Sequence, residues 1–334
     1  MSSAGYLLNR AVRKADEVCG RVQRRVFERP GLVTVFFHGL FLDEAELARD
    51  LCYPQQRTTI AHLRRCLRYF QSAGYRFVSP PEILAGLDPK GCHVLLTFDD
   101  GYFNNLRALP VLDEFQVPAV FFIPARLVEQ GSAFWWDVLY RARRRAGVST
   151  DDVCAEIHRR MVGSTSEAVE ADVKRELGVH TFAPETDTDR LFTATELREL
   201  AGNPRVFIGN HGDTHGYLPA YDKEGINREI GGAQVRLARI IGREPEVIAY
   251  PVGAWTPAVV EIAQAAGLKI GFSTAARKEH NSALGSSSCR MTLGRFVVWG
   301  DQDIEAQCEF MRSDLGWHER YERAVAAAKR AISR

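Results

Sequence analysis

Two adjacent aspartates end an apolar run of the sequence. Asp99 and Asp100 follow the stretch HVLLTF at 93–98 and precede Gly101. Removing one carboxylate from water without a partner costs free energy, and a second carboxylate beside it raises that cost. Two interpretations are open: a solvent-exposed turn, or a site where a cation offsets the repulsion between the two charges.

A pair of histidines follows another apolar run. His211 and His215 stand four residues apart in IGNHGDTHGYL, at 208–218. On a helical turn that spacing places both imidazoles on one side, where they can bind one metal ion. Two histidines and one carboxylate, with open positions for water and substrate, form a common hydrolytic metal set. The sequence therefore predicts a divalent metal site, with the second aspartate free to act as general base on the attacking water.

A proline–glycine turn supplies a third candidate feature. In IAYPVGAW, at 248–255, an apolar run ends at Tyr250 and Pro251, and Gly253 permits close approach of the backbone. Such a turn can aim the backbone N–H of Val252 at a developing oxyanion, and one such donor is worth about 10²–10³ in rate. Alone, the stretch indicates no more than an ordinary proline–glycine turn.

Alternating apolar runs and helix-period segments must position these residues. The alternation predicts roughly eight strands in a parallel α/β barrel or open sheet. In either architecture the chemistry collects at the carboxyl ends of the strands. The aspartates, the histidines and the proline–glycine turn all follow apolar runs, as does His38. The predicted strands are 32–37, 73–78, 93–98, 118–123, 205–209, 246–250, 269–273 and 293–298.

Residues 131–200 interrupt the alternation. They contain helix-like charged stretches such as FWWDVLYRARRRAG, and we predict a helical insertion beside the barrel. Its Trp135 and Trp136 are either core residues or stacking surfaces for a sugar ring. The chain then divides into an N-terminal helical segment at 1–30, the barrel at 31–302, and C-terminal helices at 303–334.

The composition argues against several classes of protein. The 43 Lys and Arg residues balance 42 Asp and Glu residues, whereas a nucleic-acid binder usually has a basic excess. The seven cysteines form no CxxC pair, so neither a disulfide framework nor a thiolate zinc site is expected. No stretch approaches the roughly 20 apolar residues of a membrane span. The first 27 residues predict either a helix packed on the domain or a basic amphipathic helix in peripheral contact with a membrane. The sequence predicts no oligomeric state.

Taken together, these motifs resemble those of the polysaccharide deacetylase family, the NodB-homology domain of carbohydrate esterase family four. TFDDG resembles the first motif, HGDTH the H-(S/T)-x-x-H second motif, and YPVG a shortened third motif in the branch that reads Y-P-x-G. VFFHGL and the segment before TFDDG resemble the same branch. The resemblance covers residues 32–130 and 205–298, and it implies an irregular (β/α) barrel of about seven to eight strands with a helical insertion.

The resemblance also implies roles, residue by residue. Asp99 would be the general base, while Asp100, His211 and His215 would hold a divalent ion, with Zn²⁺ as the expected metal. That ion would polarise the amide carbonyl and lower the pKa of the attacking water. The backbone N–H of Val252 would hold the oxyanion. The expected substrate contacts are Tyr250, Pro251, Trp135 and Trp136.

The sequence departs from the family pattern in several places, among them Val252, which stands where another form of the third motif has tyrosine. Gly212 replaces the Ser or Thr of the second motif, which removes a hydroxyl from the surroundings of the metal ligands. The arginine that steadies the base in a longer third motif is missing, and Arg295 either replaces it or is structural. The late L-x-H motif is also missing. His38, in a circularly permuted arrangement, is the favoured general acid, and His280 is the alternative.

These features predict a metal-dependent hydrolase that removes an N-acetyl or other N-acyl group from an amino sugar in a glycan or glycan precursor. One alternative is an inactive or metal-free barrel that binds carbohydrate. Another is a deacylase or deformylase of a non-sugar amide. Because the N-terminus has no apolar signal segment, we expect a cytoplasmic enzyme that acts on a precursor of a glycan.

Overall fold

The computed structural model describes residues 28–313. Residues 1–27 and 314–334 fall outside the described part of the chain. Most of the predicted N-terminal helical segment and most of the predicted C-terminal helices therefore lie outside the described residues. Within residues 28–313, none of the helices combines the length and the apolar character needed to cross a membrane.

Strands and helices alternate along most of the described chain. The strands are β1 (Gly31–Phe37), β2 (Arg76–Phe77), β3 (Cys92–Phe98), β4 (Ala119–Ile123), β5 (Val206–Asn210), β6 (Val247–Ala249), β7 (Ile270–Phe272) and β8 (Phe296–Val297). The α-helices are α1 (Glu44–Ala48), α2 (Ile60–Ser72), α3 (Pro80–Ala85), α4 (Leu109–Phe115), α5 (Ala125–Gln130), α6 (Trp135–Arg145), α7 (Thr150–Met161), α8 (Ser166–Leu177), α9 (Ala194–Ala201), α10 (Lys223–Ile241), α11 (Pro257–Ala265), α12 (Ser287–Arg290) and α13 (Ile304–Arg312). Short 3₁₀ helices span Phe103–Ala108, Leu218–Ala220, Pro251–Gly253 and Ala283–Gly285.

The eight strands pair in parallel in one curled sheet. Its order is β7-β6-β5-β4-β3-β1-β8, and β2 pairs with the first half of β3 while β4 pairs with the second half. A further bridge joins Phe272 of β7 to Leu293, just before β8, and so brings the two edges of the sheet together. The predicted irregular (β/α) barrel is confirmed. Its strands all point their carboxyl ends at one edge, here called the carboxyl rim.

The central strands are buried on both faces, as near-continuous apolar runs in a parallel sheet require. On the side that faces the helices, Phe37, Phe98 and Phe121 stack across β1, β3 and β4 with centroid separations of 5.5 and 4.8 Å. Inside the barrel, Phe122 and Phe272 lie 5.7 Å apart, centroid to centroid. Aromatic rings thus hold the strands that end at the carboxyl rim.

The interruption at 131–200 is helical, with α6, α7 and α8 followed by a loop and α9. Leu139, Val153 and Val173 of these helices belong to the same buried cluster as the helix-facing side chains of the barrel. The inserted helices are therefore anchored by burial of apolar surface against the barrel. The division into separate segments stays a prediction.

Replacing Phe98 by alanine removes the central ring of the stack. Because Phe98 is fully buried and packs on both sides, we expect the free energy of unfolding to fall by about 3–5 kcal/mol in urea titration. Val235→Ala is the matched control: that side chain, on α10, is 71% exposed, so its substitution should change stability by less than about 0.5 kcal/mol. Equal effects of the two substitutions would show that the stack does not support the fold.

A candidate metal centre at the carboxyl rim

Asp99 and Asp100 leave β3 on a tight turn. The backbone N–H of Asp99 still donates to the carbonyl of Phe37, at 2.8 Å. Asp100 and Gly101 then adopt φ angles of 72° and 66°, a conformation that costs free energy for a residue with a side chain. A Cβ on Gly101 would lie 3.0 Å from Ile123 Cδ1, so this position favours glycine. The turn gives the two carboxylates separate partners.

Asp100 faces both histidines of the second motif. Its Oδ1 lies 3.3 Å from Nε2 of His211 and 3.3 Å from Nε2 of His215. Ligand atoms of the three residues all lie within 4.8 Å of one another. Asp100 Oδ1 and His211 Nε2 are buried without a hydrogen-bond partner. Buried polar atoms are normally paired, so unpaired atoms of ligand type that face one another fit a divalent cation. These three residues are here called the metal centre.

Contacts around the metal centre orient its ligands. His211 Nδ1 lies 2.7 Å from the carbonyl of Ala249, so that nitrogen must carry the proton, which leaves a lone pair on Nε2 for a metal. Gln55 Nε2 donates to Asp100 Oδ2 at 2.8 Å. His215 has a φ of 60°, and the segment 211–217 is a loop. The expectation that a helical turn brings the imidazoles together is therefore wrong, because a left-handed loop does so.

Asp99 is held by Arg295 rather than by a metal ligand. Arg295 Nη1 donates to Oδ1 at 2.7 Å and Nη2 to Oδ2 at 2.8 Å, and both side chains are buried. The guanidinium also lies over the Phe36 ring, 4.6 Å from its centroid, and its Nε donates to the carbonyl of Ser273 at 3.2 Å. This bidentate geometry fixes the position of the carboxylate.

Opposing influences set the pKa values of the two aspartates. Burial raises the pKa of Asp99, but the charges of Arg295 and His211 outweigh burial and hold the pKa below its usual value. Burial likewise raises the pKa of Asp100, and His38 and His215 hold that pKa well below its usual value. Both carboxylates are therefore anionic at neutral pH. Since they are only 2% and 1% exposed, the two carboxylates depend on neighbouring side chains and not on solvent: Arg295 pairs with Asp99, and imidazoles face Asp100.

His38 lies at the carboxyl rim, directly after β1. Its Nε2 is 3.9 Å from Asp100 Oδ2, and its Nδ1 is buried without a hydrogen-bond partner. His280 lies elsewhere. It follows Glu279, whose backbone pairs with Leu32 at the start of β1, so it belongs to the opposite end of the barrel. The structure thus brings His38, and not His280, to the metal centre.

The turn after β6 carries the predicted oxyanion donor. Val252 has a φ of 58°, a strained conformation for a β-branched residue, and it borders a small cavity beside His215. Pro251 is buried at the start of this turn. The Tyr250 side chain is fully buried, and its hydroxyl donates to the carbonyl of Met291 at 2.9 Å. Tyr250 therefore supports the turn from the core side.

The insertion forms one wall of the metal centre. Trp135 and Trp136 are buried and border the same small cavity as His215. The Trp136 ring packs edge-on against the His215 ring at 5.1 Å. Its Nε1 donates to the hydroxyl of Tyr102 at 2.9 Å, and that hydroxyl donates to Asp137 Oδ2 at 2.9 Å. Helix α6 is thereby tied to the turn that carries the aspartates.

The sequence analysis missed three residues of this site. Tyr102 directly follows TFDDG, so its position in the motif was an available signal. Asp137 is an isolated acidic residue among apolar neighbours on α6, a pattern that indicates a buried hydrogen-bonded carboxylate. Gln55 lies in a loop with no local pattern, and only the tertiary structure brings it to Asp100.

Removing Arg295 should expose the cost of a buried, unpaired carboxylate. For Arg295→Ala we expect a loss of about 3–5 kcal/mol in unfolding free energy at neutral pH. Asp99 has a lowered pKa, so its contribution to stability is present at neutral pH and is lost as the pH falls. The difference from wild type should therefore shrink in a buffer whose pH lies below the usual aspartate pKa, and it should also shrink in the double variant with Asp99→Asn. Denaturant titrations at the two pH values measure this.

Arg277→Ala serves as the control for that experiment. Arg277 pairs with Glu279 and its side chain is 32% exposed, so its loss should be small, about 0–1 kcal/mol. A pH-independent effect of Arg295→Ala would contradict the pairing with an ionised Asp99.

Comparison with known proteins agrees with this geometry. The sequence matches the model of the polysaccharide deacetylase family over residues 87–271, and the curated proteins contain no match. The solved structure of the deacetylase PplD from Streptococcus pyogenes, in complex with acetate, has a TM-score of 0.56 and 16% identity, covering 85% of this chain and 99% of that one. IcaB from Ammonifex degensii has a TM-score of 0.54 and 19% identity, with coverages of 86% and 99%. A de-N-acetylase from Aggregatibacter actinomycetemcomitans has a TM-score of 0.55 and 16% identity, with coverages of 84% and 99%.

At these identities the structural likeness establishes the fold. The family match goes further, because it spans more than half of the chain and includes the two aspartates and the two histidines of the site. This chain belongs to the polysaccharide deacetylase family, whose members are hydrolases of carbon–nitrogen bonds.

Proposed function

We propose that this protein is a metal-dependent hydrolase that removes an N-acetyl or other N-acyl group from an amino sugar in a glycan or glycan precursor. One observation carries the proposal: the ligand atoms of Asp100, His211 and His215 converge at the carboxyl rim, beside an ionised Asp99. The family match supports the deacetylation of a glycan. The identity of the sugar and the cytoplasmic location stay predictions.

The metal centre suits Zn²⁺, for which two imidazoles and one carboxylate are a common catalytic ligand set. When bound there, such an ion supplies Lewis acidity that polarises the amide carbonyl and lowers the pKa of the attacking water. Asp100 and the two histidines would hold it, with the ring of His211 oriented by the carbonyl of Ala249.

The remaining residues of the site transfer protons or stabilise the developing charge. Asp99 accepts the proton of the attacking water, and Arg295 keeps that carboxylate ionised and fixed in direction. The N–H of Val252 donates to the developing oxyanion. His38 protonates the leaving amine at the same rim. Holding the substrate and the attacking water beside Asp99 avoids the entropic cost of a bimolecular encounter.

The proposed substrate contacts lie around the small cavity beside His215. Trp135 and Trp136 form its wall on the side of the insertion, and the turn that begins at Pro251 forms the other. A contact of Tyr250 with substrate stays a prediction. The full burial of its side chain argues against such a contact.

Metal content and acetate release from N-acetylated sugars test the assignment of base and ligands. Wild-type protein should hold zinc and release acetate. Asp99→Asn should retain zinc and lose about 10²–10⁴ in kcat, because only the base is removed. His211→Ala should lose both zinc and activity.

His180→Ala is the control for these variants, since that imidazole is exposed and lies on the insertion, and it should behave as wild type. A wild-type protein that binds no zinc would favour the alternative of a carbohydrate-binding barrel. Zinc binding without acetate release, but with formate release from a formylated amide, would favour the deformylase alternative.

Leaving-group chemistry tests His38 separately. An amine must be protonated as it leaves, whereas the phenolate of an aryl acetate leaves without protonation. For His38→Asn we therefore expect kcat on N-acetyl sugars to fall by about 10²–10⁴, with aryl acetate hydrolysis and zinc content nearly unchanged. His280→Asn should affect neither substrate. Equal losses on both substrates would rule out His38 as the general acid.

A further inference from the structure

The loop between the two histidine ligands is held at every backbone group. The carbonyls of Gly212 and Asp213 accept from the first two amides of α5 at 3.1 and 2.9 Å. The carbonyl of Thr214 accepts from the hydroxyl of Ser166 at 3.1 Å. The N–H of Gly212 donates to Asn210 Oδ1 at 2.8 Å. Two N–H groups remain, those of Asp213 and Thr214, and both point at a single side chain.

That side chain is Glu229 of α10. Its Oε2 accepts from the N–H of Asp213 at 3.2 Å and from the N–H of Thr214 at 3.1 Å. Its Oε1 accepts from the hydroxyl of Thr214 at 2.8 Å. One carboxylate therefore receives three hydrogen bonds from two consecutive loop residues, just before His215.

The location of Glu229 is costly for a charged group. It is 3% exposed, and burial is the main cause that raises its pKa, to which the nearby carboxylates of Asp213 and Glu167 add. The hydrogen bonds from Thr214 act in the opposite direction. A position needed only for packing would favour an apolar residue, since a buried carboxylate is unfavourable without compensation. The three hydrogen bonds from the loop supply that compensation.

Gly212 gives a second, independent reason to connect Glu229 with the metal centre. A Cβ on Gly212 would lie 3.1 Å from Glu229 Oε2, and the φ of Gly212 is 76°. The carboxylate thus occupies the space beside Gly212. In the resembling motif this residue is Ser or Thr, so the loop of this chain lacks a hydroxyl there and has a buried carboxylate from a helix in its place.

We propose that Glu229 is a positioning residue of the metal centre. By fixing the backbone of Asp213 and Thr214, it sets the direction of His215 and its distance from His211 and Asp100. The inference rests on the proposed metal-dependent function. It predicts that Glu229 acts on metal affinity, because loss of the groups that orient ligands typically weakens binding about 10–100-fold.

The test measures Zn²⁺ affinity of metal-stripped protein by competition with a chromogenic chelator, without substrate. Glu229→Leu keeps a similar side-chain volume but removes both acceptor oxygens, so the N–H groups of Asp213 and Thr214 and the Thr214 hydroxyl lose their partner. We expect the dissociation constant for Zn²⁺ to rise about 10-fold or more. Glu224→Leu is the matched control: it lies on the same helix, its side chain is 83% exposed and it pairs with Arg228. Its affinity should equal that of wild type.

Thr214 provides a second route if Glu229→Leu does not fold. Thr214→Val removes the hydroxyl that donates to Glu229 and should weaken Zn²⁺ binding, whereas Thr214→Ser should restore it. In the double variant the losses of Thr214→Val and Glu229→Leu should not add, because both remove the hydrogen bond between the Thr214 hydroxyl and Glu229.

Two results would overturn the inference, and they are distinguishable. If Glu229→Leu and Thr214→Val lower the thermal stability of the metal-free protein but leave the Zn²⁺ dissociation constant unchanged, Glu229 is only structural. If the wild-type protein itself binds no Zn²⁺, the proposed function fails, and this inference fails with it.

Discussion

The site depends on keeping two adjacent, buried carboxylates charged. Asp99 and Asp100 have almost no exposure, so water cannot offset their repulsion, and each needs its own cationic partner. The left-handed turn at Asp100 and Gly101 separates them. Arg295 then neutralises Asp99, and two histidine ligands, with the cation they would share, face Asp100. Removing any one of these partners leaves an uncompensated charge in a place of low dielectric constant.

The barrel brings partners for the two aspartates together from distant parts of the chain. β1 lies between β3 and β8, so His38, directly after β1, and Arg295, directly before β8, both approach the aspartates from the same side of β3. Both residues lie outside the matched family segment, 87–271. The order of β1 in the sheet explains how a strand that precedes TFDDG can supply a group that the resembling pattern places late in the chain.

The histidine loop and the insertion provide rigidity around this rim. The loop uses left-handed backbone at Gly212 and His215, which costs free energy and persists only where the surroundings impose it. Glu229 and the amino end of α5 impose it through hydrogen bonds. Helix α6 packs Trp136 against His215, so the surroundings of one ligand depend on residues that the barrel pattern does not contain.

The sequence by itself determined the strand and helix alternation, the carboxyl-rim location of the aspartates and histidines, and the family. These properties rest on local patterns: apolar runs of strand length and motif spacings within a few residues. Only the tertiary structure determined which side chains contact the two aspartates and how the two histidines converge. Arg295 meets Asp99 across 196 positions, Gln55 meets Asp100 across 45, and the histidines converge through a loop where the spacing suggested a helical turn. Such contacts follow from the order of the strands in the sheet and from the packing of the helices. Local sequence patterns do not determine the strand order, because many strand pairings are compatible with the same apolar periodicity.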